Sequence, residues 1–448
     1  MFKDIYNIWD IPLIIIYLLI IFSIAFFYKN HKIEKKDYYQ YFTLGLIIKI
    51  IGGLAFASIY IFYYQGGDTM YYQIGAESVD QLLFKNPTHF FRTLFTSADN
   101  FPPDLMYVKH SITYAKANEE WFMVRIMAII NLFTLQRFFI ATILTSFISF
   151  LGAWKMYQTF LFFFPKEKKA AFIAVFLVPS VIFWGSGVMK DTMSLAALGF
   201  FLYYTKNLFF QYHWKISSIL GFLFAAFILF SLKIYIIVSF FPPLFLAWYI
   251  YNKSKITNKV LRVLIGPILL ISSFTIAYLA IYSLLESSEK YKIENLQSRL
   301  DGFHTWHSTV GGSSYNLGEI EYTPTGIIKK IPASLNVTFF RPYLWEIRNI
   351  VMAIGGLESL IFLLLFIYIL IYYRLSWIRL AFKSPLLILS LTYILIFGFI
   401  VGFTSYNFGA LARYKIPVLP FFTFFLLYFY YQKKNNKSLT MEEDKSIP

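Results

Sequence analysis

The chain of 448 residues contains no cysteine, which excludes disulfides, thiolate metal ligands and cysteine nucleophiles. Charge is also scarce, with 14% charged residues against 58% hydrophobic ones. Nucleotide-binding glycine loops, HExxH, GxSxG and zinc-finger spacings are all missing, which argues against an ATP-driven pump or a membrane metalloprotease. Acidic residues are fewer than basic ones, 24 against 40, giving a formal charge of +16. Such an excess would suit a nucleic-acid binder, but the basic residues sit in short clusters between apolar runs, the pattern of topology signals. Nucleic acid is therefore not an expected partner. A cleavable leader is not expected either: IPLIIIYLLIIFSIAFFYKN is long enough to span a bilayer and shows no small-residue cleavage site.

What is present is apolar surface, more than a soluble domain can hide. The expected fold is all-α, a polytopic transmembrane helical bundle. At 1.5 Å rise per residue, about twenty residues cross the hydrocarbon core. Apolar runs at 11–28, 39–64, 137–154, 170–186, 191–209, 216–232, 234–251, 261–284, 349–373, 385–403 and 414–431 meet that window. They predict about eleven spans in one transmembrane domain over 1–432, followed by a polar, disordered cytoplasmic tail at 433–448. Lysine and arginine clusters follow alternate runs, from Lys29, Lys32, Lys35 and Lys36 to the tail QKKNNKS. The positive-inside rule makes those loops cytoplasmic and places the N-terminus, the loops 65–136 and 285–348 and the turn near 185–191 outside. The expected location is the bacterial inner membrane. Within the first long loop, EEWFMVRIMAIINLFTL is apolar but interrupted by Arg125, and predicts an interfacial or re-entrant helix. The 52 Phe and 35 Tyr could form sugar-stacking surfaces, although compositional bias and interfacial aromatic belts account for them as well.

Four short constellations fall on the outward side. In QGGDTMYYQ, the glycines allow a sharp exit from the second run, and Asp68 is either the N-cap of the next helix or a carboxylate at a headgroup. In PSVIFWGSGVMKDTM, Asp191 can cap a helix and Lys190 can snorkel in a solvated turn, or Lys190 can hold an anionic phosphate. In FFRPYLWEIRN, Arg341, Glu346 and Arg348 surround the interfacial anchor Trp345, and two arginines outside oppose the usual charge bias. Arginine suits bidentate phosphate binding. In NFGALARYKIPVLPFF, Arg413, Tyr414 and Lys415 open the last run, where Pro417 and Pro420 distort the first turns. Two lesser features are HTWH, with His304 and His307 in a glycine-rich loop that does not favour a metal site, and Lys49 in LIIKIIGG, the one charge expected inside the bundle; Lys233 is expected in a turn.

An outward carboxylate with outward cations suits transfer chemistry on a phosphate-linked lipid, the carboxylate as general base and the cations neutralising the leaving phosphate. On two short motifs, Asp68 followed by Tyr71 and Tyr72 in an early outward loop and the late RYKIPVLPFF, the chain resembles the GT-C class of membrane glycosyltransferases. The resemblance implies polyprenyl-phosphate sugar as donor, a glycan or lipid acceptor, Asp68 as base, and Arg413 and Tyr414 at the lipid phosphate. No resident cofactor or metal is expected, although a carboxylate such as Asp68 can hold a divalent ion as readily as a proton. Two other functions are open: an O-antigen polymerase or ligase using Arg299, His304, His307, Arg341 and Arg348, and a glycolipid transporter whose charges line a path for an anionic lipid. A transporter calls for charges deep in the bundle and often for two related halves; Lys49 alone meets the first condition and no repeat is visible.

Overall fold

The computed structural model describes residues 7–269, 271–272, 275, 313–318, 320–321 and 323–445. Every regular element among them is helical, and the one β contact is a bridge between Ser314 and Asn407. In chain order these are α1 (Asp10–Ile33), α2 (Phe42–Ser58), α3 (Asp68–Lys85), α4 (Pro87–Phe95), α5 (Met106–Ser111), α6 (Asn118–Asn131), α7 (Phe138–Phe163), α8 (Lys168–Phe176), α9 (Pro179–Trp184), α10 (Lys190–Thr205) and α11 (Ile216–Asn252). They continue as α12 (Pro324–Lys329), α13 (Ile331–Phe340), α14 (Ile350–Tyr373), α15 (Ser376–Ala381), α16 (Pro385–Thr404), α17 (Phe408–Tyr414) and α18 (Leu419–Lys445), the backbone of the tail continuing in the last of these.

Among the described residues, six helices are long and apolar enough to cross a membrane: Asp10–Ile33, Asp37–Tyr64, Phe138–Phe163, Ile216–Lys255, Ile350–Tyr373 and Pro385–Thr404. A seventh results if Phe408–Tyr414 and Leu419–Lys434, bent by 76°, form one broken span. Many of their apolar residues, such as Leu19 and Phe27 of α1 and Leu223 and Phe224 of α11, are exposed, as lipid-facing side chains must be. The chain is a multi-pass helical membrane protein. The expected count of about eleven is not reached by single helices, for local reasons. The run 170–186 is split into α8 and α9, because Pro179 lacks an N–H and biases Val178 away from helix. The runs 216–232 and 234–251 are one element, α11, broken only at Lys233 with φ −154° and ψ 78°. α10 has 16 residues, and the run 261–284 lies largely outside the described residues.

The chain forms two compact units. The first comprises Met1–Thr159, Val181–Leu208 and His213–Ile234; the second comprises Phe160–Ser180, Phe209–Tyr212 and Tyr235–Pro448. In the first unit, α3 lies along α6, and α7 crosses α10 at small residues. There a Cβ on Gly152 would come within 2.3 Å of the Ala196 carbonyl, and one on Gly199 within 2.0 Å of the Gly152 carbonyl. Small residues are what allow helix backbones to approach this closely. Gly199→Val should therefore lower stability by about 1–3 kcal/mol or more, seen as an earlier thermal melt in detergent; an unchanged melt would contradict this packing. In the second unit, α13 packs on α16, where Thr338 Oγ1 donates to the Gly398 carbonyl at 2.7 Å.

Candidate functional site

The site grows from the start of α3. The π-helical turn Ile59–Tyr64 ends in a left-handed Gln65, φ 51°, followed by Gly67 at φ 108°. A side chain at 67 would be strained, and its Cβ would sit 2.7 Å from the Tyr60 ring, so glycine is required twice over. Gly67 is the N-cap and Asp68 the first helical residue, so Asp68 does not cap this helix as the local alternative expected. Its Oδ1 instead accepts a hydrogen bond from the Tyr114 hydroxyl at 2.7 Å. The rings of Tyr71 and Tyr72 lie 5.4 and 5.1 Å from that of Tyr114. Tyr72 is buried and Tyr71 exposed.

Tyr114 lies just before α6, whose first turn carries Glu119 and Glu120. Lys190, the first residue of α10, donates to Glu120 Oε1 at 2.6 Å and lies 3.8 Å from Glu119 Oε2. Lys190 is thus held in an ion-pair network instead of snorkelling in a solvated turn. Asp68 is bonded to Tyr114 and Lys190 to Glu120, so the starts of α3 and α10 are each tied to the segment Tyr114 to Glu120 that leads into α6. Each N-terminus exposes unpaired backbone N–H groups and the positive end of a helix dipole. The arrangement combines a carboxylate, a tyrosine hydroxyl, an ammonium and positive backbone potential, a set able to take a proton from a hydroxyl and to neutralise an anion.

Beneath this surface Asp191 is buried and ion-paired with Lys233 at the break in α11; it is not the cap of α10, a position that Met189 occupies. Lys49 is buried as expected. Its ammonium donates to the carbonyls of Val181 at 3.2 Å and Gly185 at 2.9 Å, while Ser149 and Ser146 donate to the carbonyls of Gly185 and Ser186. These donors satisfy the carbonyls left open at the end of α9, a task suited to a cation at the negative end of a helix.

Further along α3, Gln73, Glu77 and Asp80 share one face at helical spacing, opposite the C-terminal turn of α6. Gln73 Nε2 donates to Glu77 Oε1 at 2.9 Å and to the Gln136 carbonyl at 3.1 Å, and Asn131 Nδ2 donates to Asp80 Oδ2 at 3.1 Å. Burial pushes the Asp80 carboxyl up to about 7, with the Asn131 amide opposing the rise and the Glu77 charge adding to it. Burial raises Glu77 too, against the hydrogen bond from Gln73.

The remaining expected residues belong to the second unit. Arg341 is ion-paired with Glu346 and faces the rings of Tyr315, Tyr343 and Phe408 at 5.3–5.9 Å. Burial tends to raise Glu346, but hydrogen bonds from Arg341 and the Tyr343 N–H outweigh it and hold the carboxylate below its usual range. Trp345 is 82% exposed and stacks on Tyr343 at 4.8 Å, as an interfacial anchor would. Arg413 and Tyr414 end α17, half-buried, and Lys415 follows them, buried 3.8 Å from Glu358. Glu358 also accepts from the Ser180 N–H at 2.7 Å and hydroxyl at 2.9 Å. Arg299, His304 and His307 lie outside the described residues.

Several of these residues escape a sequence reading. Tyr114, Glu119 and Glu120 carry no local signal, because their importance comes from distant partners. Glu358 does carry one, being the lone charge in the apolar stretch Ile350–Tyr373. Lys49 is not alone in the interior: the described residues also bury Asp10, Asp80, Asp191, Lys206, Lys233, Glu358 and Lys415. No group of three or more His, Asp or Glu side chains suited to a metal occurs among them. No protein family, curated protein or solved structure matches the chain.

Proposed function

We propose that the protein is an integral membrane glycosyltransferase moving a sugar from a polyprenyl-phosphate donor to a lipid-linked or cell-envelope glycan acceptor, on the outward face of the bacterial inner membrane. The observation that supports this reading is that Asp68, at the start of α3, and Lys190, at the start of α10, are each tied, through Tyr114 and Glu120, to the segment that leads into α6. Asp68 takes the proton of the acceptor hydroxyl as its oxygen attacks the anomeric carbon. The bond from that carbon to phosphate oxygen breaks, and the polyprenyl phosphate leaves with the electron pair. Lys190 and the helix N-termini offset the negative charge that develops. Arg341, Trp345, Glu346, Arg413 and Tyr414 are proposed as lipid-binding residues of the second unit. In this reading the chain crosses about eleven times, with α8 and α9 together, α10, the second half of α11 and the run 261–284, which lies largely outside the described residues, added to the six long helices and the bent pair.

A second reading is favoured by a specific observation. Eight buried charges are more than a sequence reading allows, and charges deep in a membrane protein mark transport paths. The test is reconstitution in liposomes with a labelled polyprenyl-phosphate sugar and a lipid-linked acceptor. A labelled glycosidic product that requires Asp68 supports the transferase. Movement of intact labelled donor between leaflets, with no new glycosidic bond, supports the transporter and ends the first reading.

A further inference from the structure

Four carboxylates are buried among the described residues: Asp10, Asp80, Asp191 and Glu358. Three have a basic side chain within ion-pair distance, Arg137 at 3.5 Å from Asp10, Lys233 beside Asp191, and Lys415 at 3.8 Å from Glu358. Asp80 has none; its charged neighbour is a second carboxylate, Glu77. Burying a carboxylate beside a half-buried second one, with no counter-charge, is costly in any protein and is normally avoided.

The same cluster holds an unusual number of oxygens without a partner. Asp80 Oδ1, Asn131 Oδ1 and Gln73 Oε1 are all buried and accept no hydrogen bond. The amides cannot be turned to cure this, because the NH₂ groups of Gln73 and Asn131 already donate to Glu77, Gln136 and Asp80. α6 ends at Asn131 and is followed by a turn in which Leu135 and Gln136 adopt left-handed conformations, and the last helix carbonyls present the negative end of a dipole. The two amide NH₂ groups are already engaged, and what is left over in the cluster is oxygen and negative charge. Buried oxygens left unmet within the chain call for a partner from outside it, a water or an ion.

We propose that this cluster binds a hard divalent cation of the calcium class, with Glu77 and Asp80 as charged ligands and Gln73 and Asn131 as neutral oxygen donors. Two carboxylates match a double positive charge. An all-oxygen set drawn from a helix face and a helix end suits the flexible six- to eight-fold coordination of calcium better than the strict octahedron of magnesium. The absence of nitrogen or sulfur donors disfavours zinc and copper. Glu77 is half-buried, so the ion has a route from solvent. Bound there, it ties α3 to the end of α6, the two helices whose N-terminal ends carry Asp68 and Glu120.

The test uses the full-length protein in detergent, stripped with a chelator and titrated with Ca²⁺ alone by calorimetry and thermal melting. One saturable site and a rise in melting temperature are expected. Asp80→Asn, nearly isosteric, should weaken Ca²⁺ binding by roughly tenfold or more, while its calcium-free form melts above stripped wild type because the uncompensated charge is gone. Glu77→Gln should weaken binding in the same direction, and Glu34→Gln, at an exposed carboxylate, should not. No saturable binding up to about 10 mM, beyond the weakest calcium modules, would overturn the proposal. So would unchanged affinity in Asp80→Asn, or an equal rise in melting temperature with Na⁺ at the same concentration.

Discussion

Asp68→Asn is expected to lower sugar transfer from a polyprenyl-phosphate donor by roughly 10²- to 10⁴-fold, the range for losing a positioned general base. Asparagine keeps the size of the side chain and an oxygen that can accept from the Tyr114 hydroxyl, so the contact between α3 and the start of α6 survives. What is lost is the ability to take a proton. The loss should fall on kcat with KM little changed, because the proton transfer contributes in the transition state and not in the bound ground state. Had Asp68 been a helix cap, the same substitution would cost about 1 kcal/mol of stability and leave the rate alone. Because Gly67 holds the cap position, the two roles separate cleanly in one variant. Equal transfer by wild type and Asp68→Asn, at equal melting temperature, would remove Asp68 from the chemistry.

The parts of the fold legible in the sequence are those fixed by local apolar length. α1, α7, α14 and α16 occur close to where the hydrophobic runs put them, since a run long enough to span has little alternative to helix in lipid. Hydropathy does less well where the backbone is interrupted inside an apolar run. It cannot distinguish the full break before Pro179 from the single non-helical residue at Lys233, because both leave the surrounding composition unchanged. The site was legible in its residue types and not in its pairings. Asp68 and Lys190 stood out as charges at the ends of runs. Their partners Tyr114 and Glu120, 46 and 70 residues away, did not, because nothing in sequence spacing encodes such contacts. Asp80 was invisible for a different reason. On an amphipathic helix a carboxylate is ordinarily solvated, and only the packing of α6 against α3 takes this one out of water.

Lys233→Met is expected to destabilise the protein by about 3–5 kcal/mol, because it leaves the Asp191 carboxylate buried without its counter-charge. Asp191→Asn alone should be costly for the converse reason, leaving a buried ammonium. The double variant Asp191→Asn/Lys233→Met removes both charges and should recover most of the loss, giving a large coupling energy in a double-mutant cycle read by thermal melting in detergent. A simple sum of the two single losses would mean that the charges do not depend on each other. The cycle also bears on function through the backbone. Lys233 is the one non-helical residue within α11, so the chain changes direction there. An ion pair placed there fixes the direction in which the chain resumes, whereas methionine at 233 would leave the break without a polar tie to α10. If the pair only positions the helices, the double variant should regain transfer along with stability. Should it regain stability while transfer or lipid movement stays lost, the charges themselves take part in handling an anionic substrate, and Asp191 and Lys233 join Asp68 and Lys190 as working residues of the first unit.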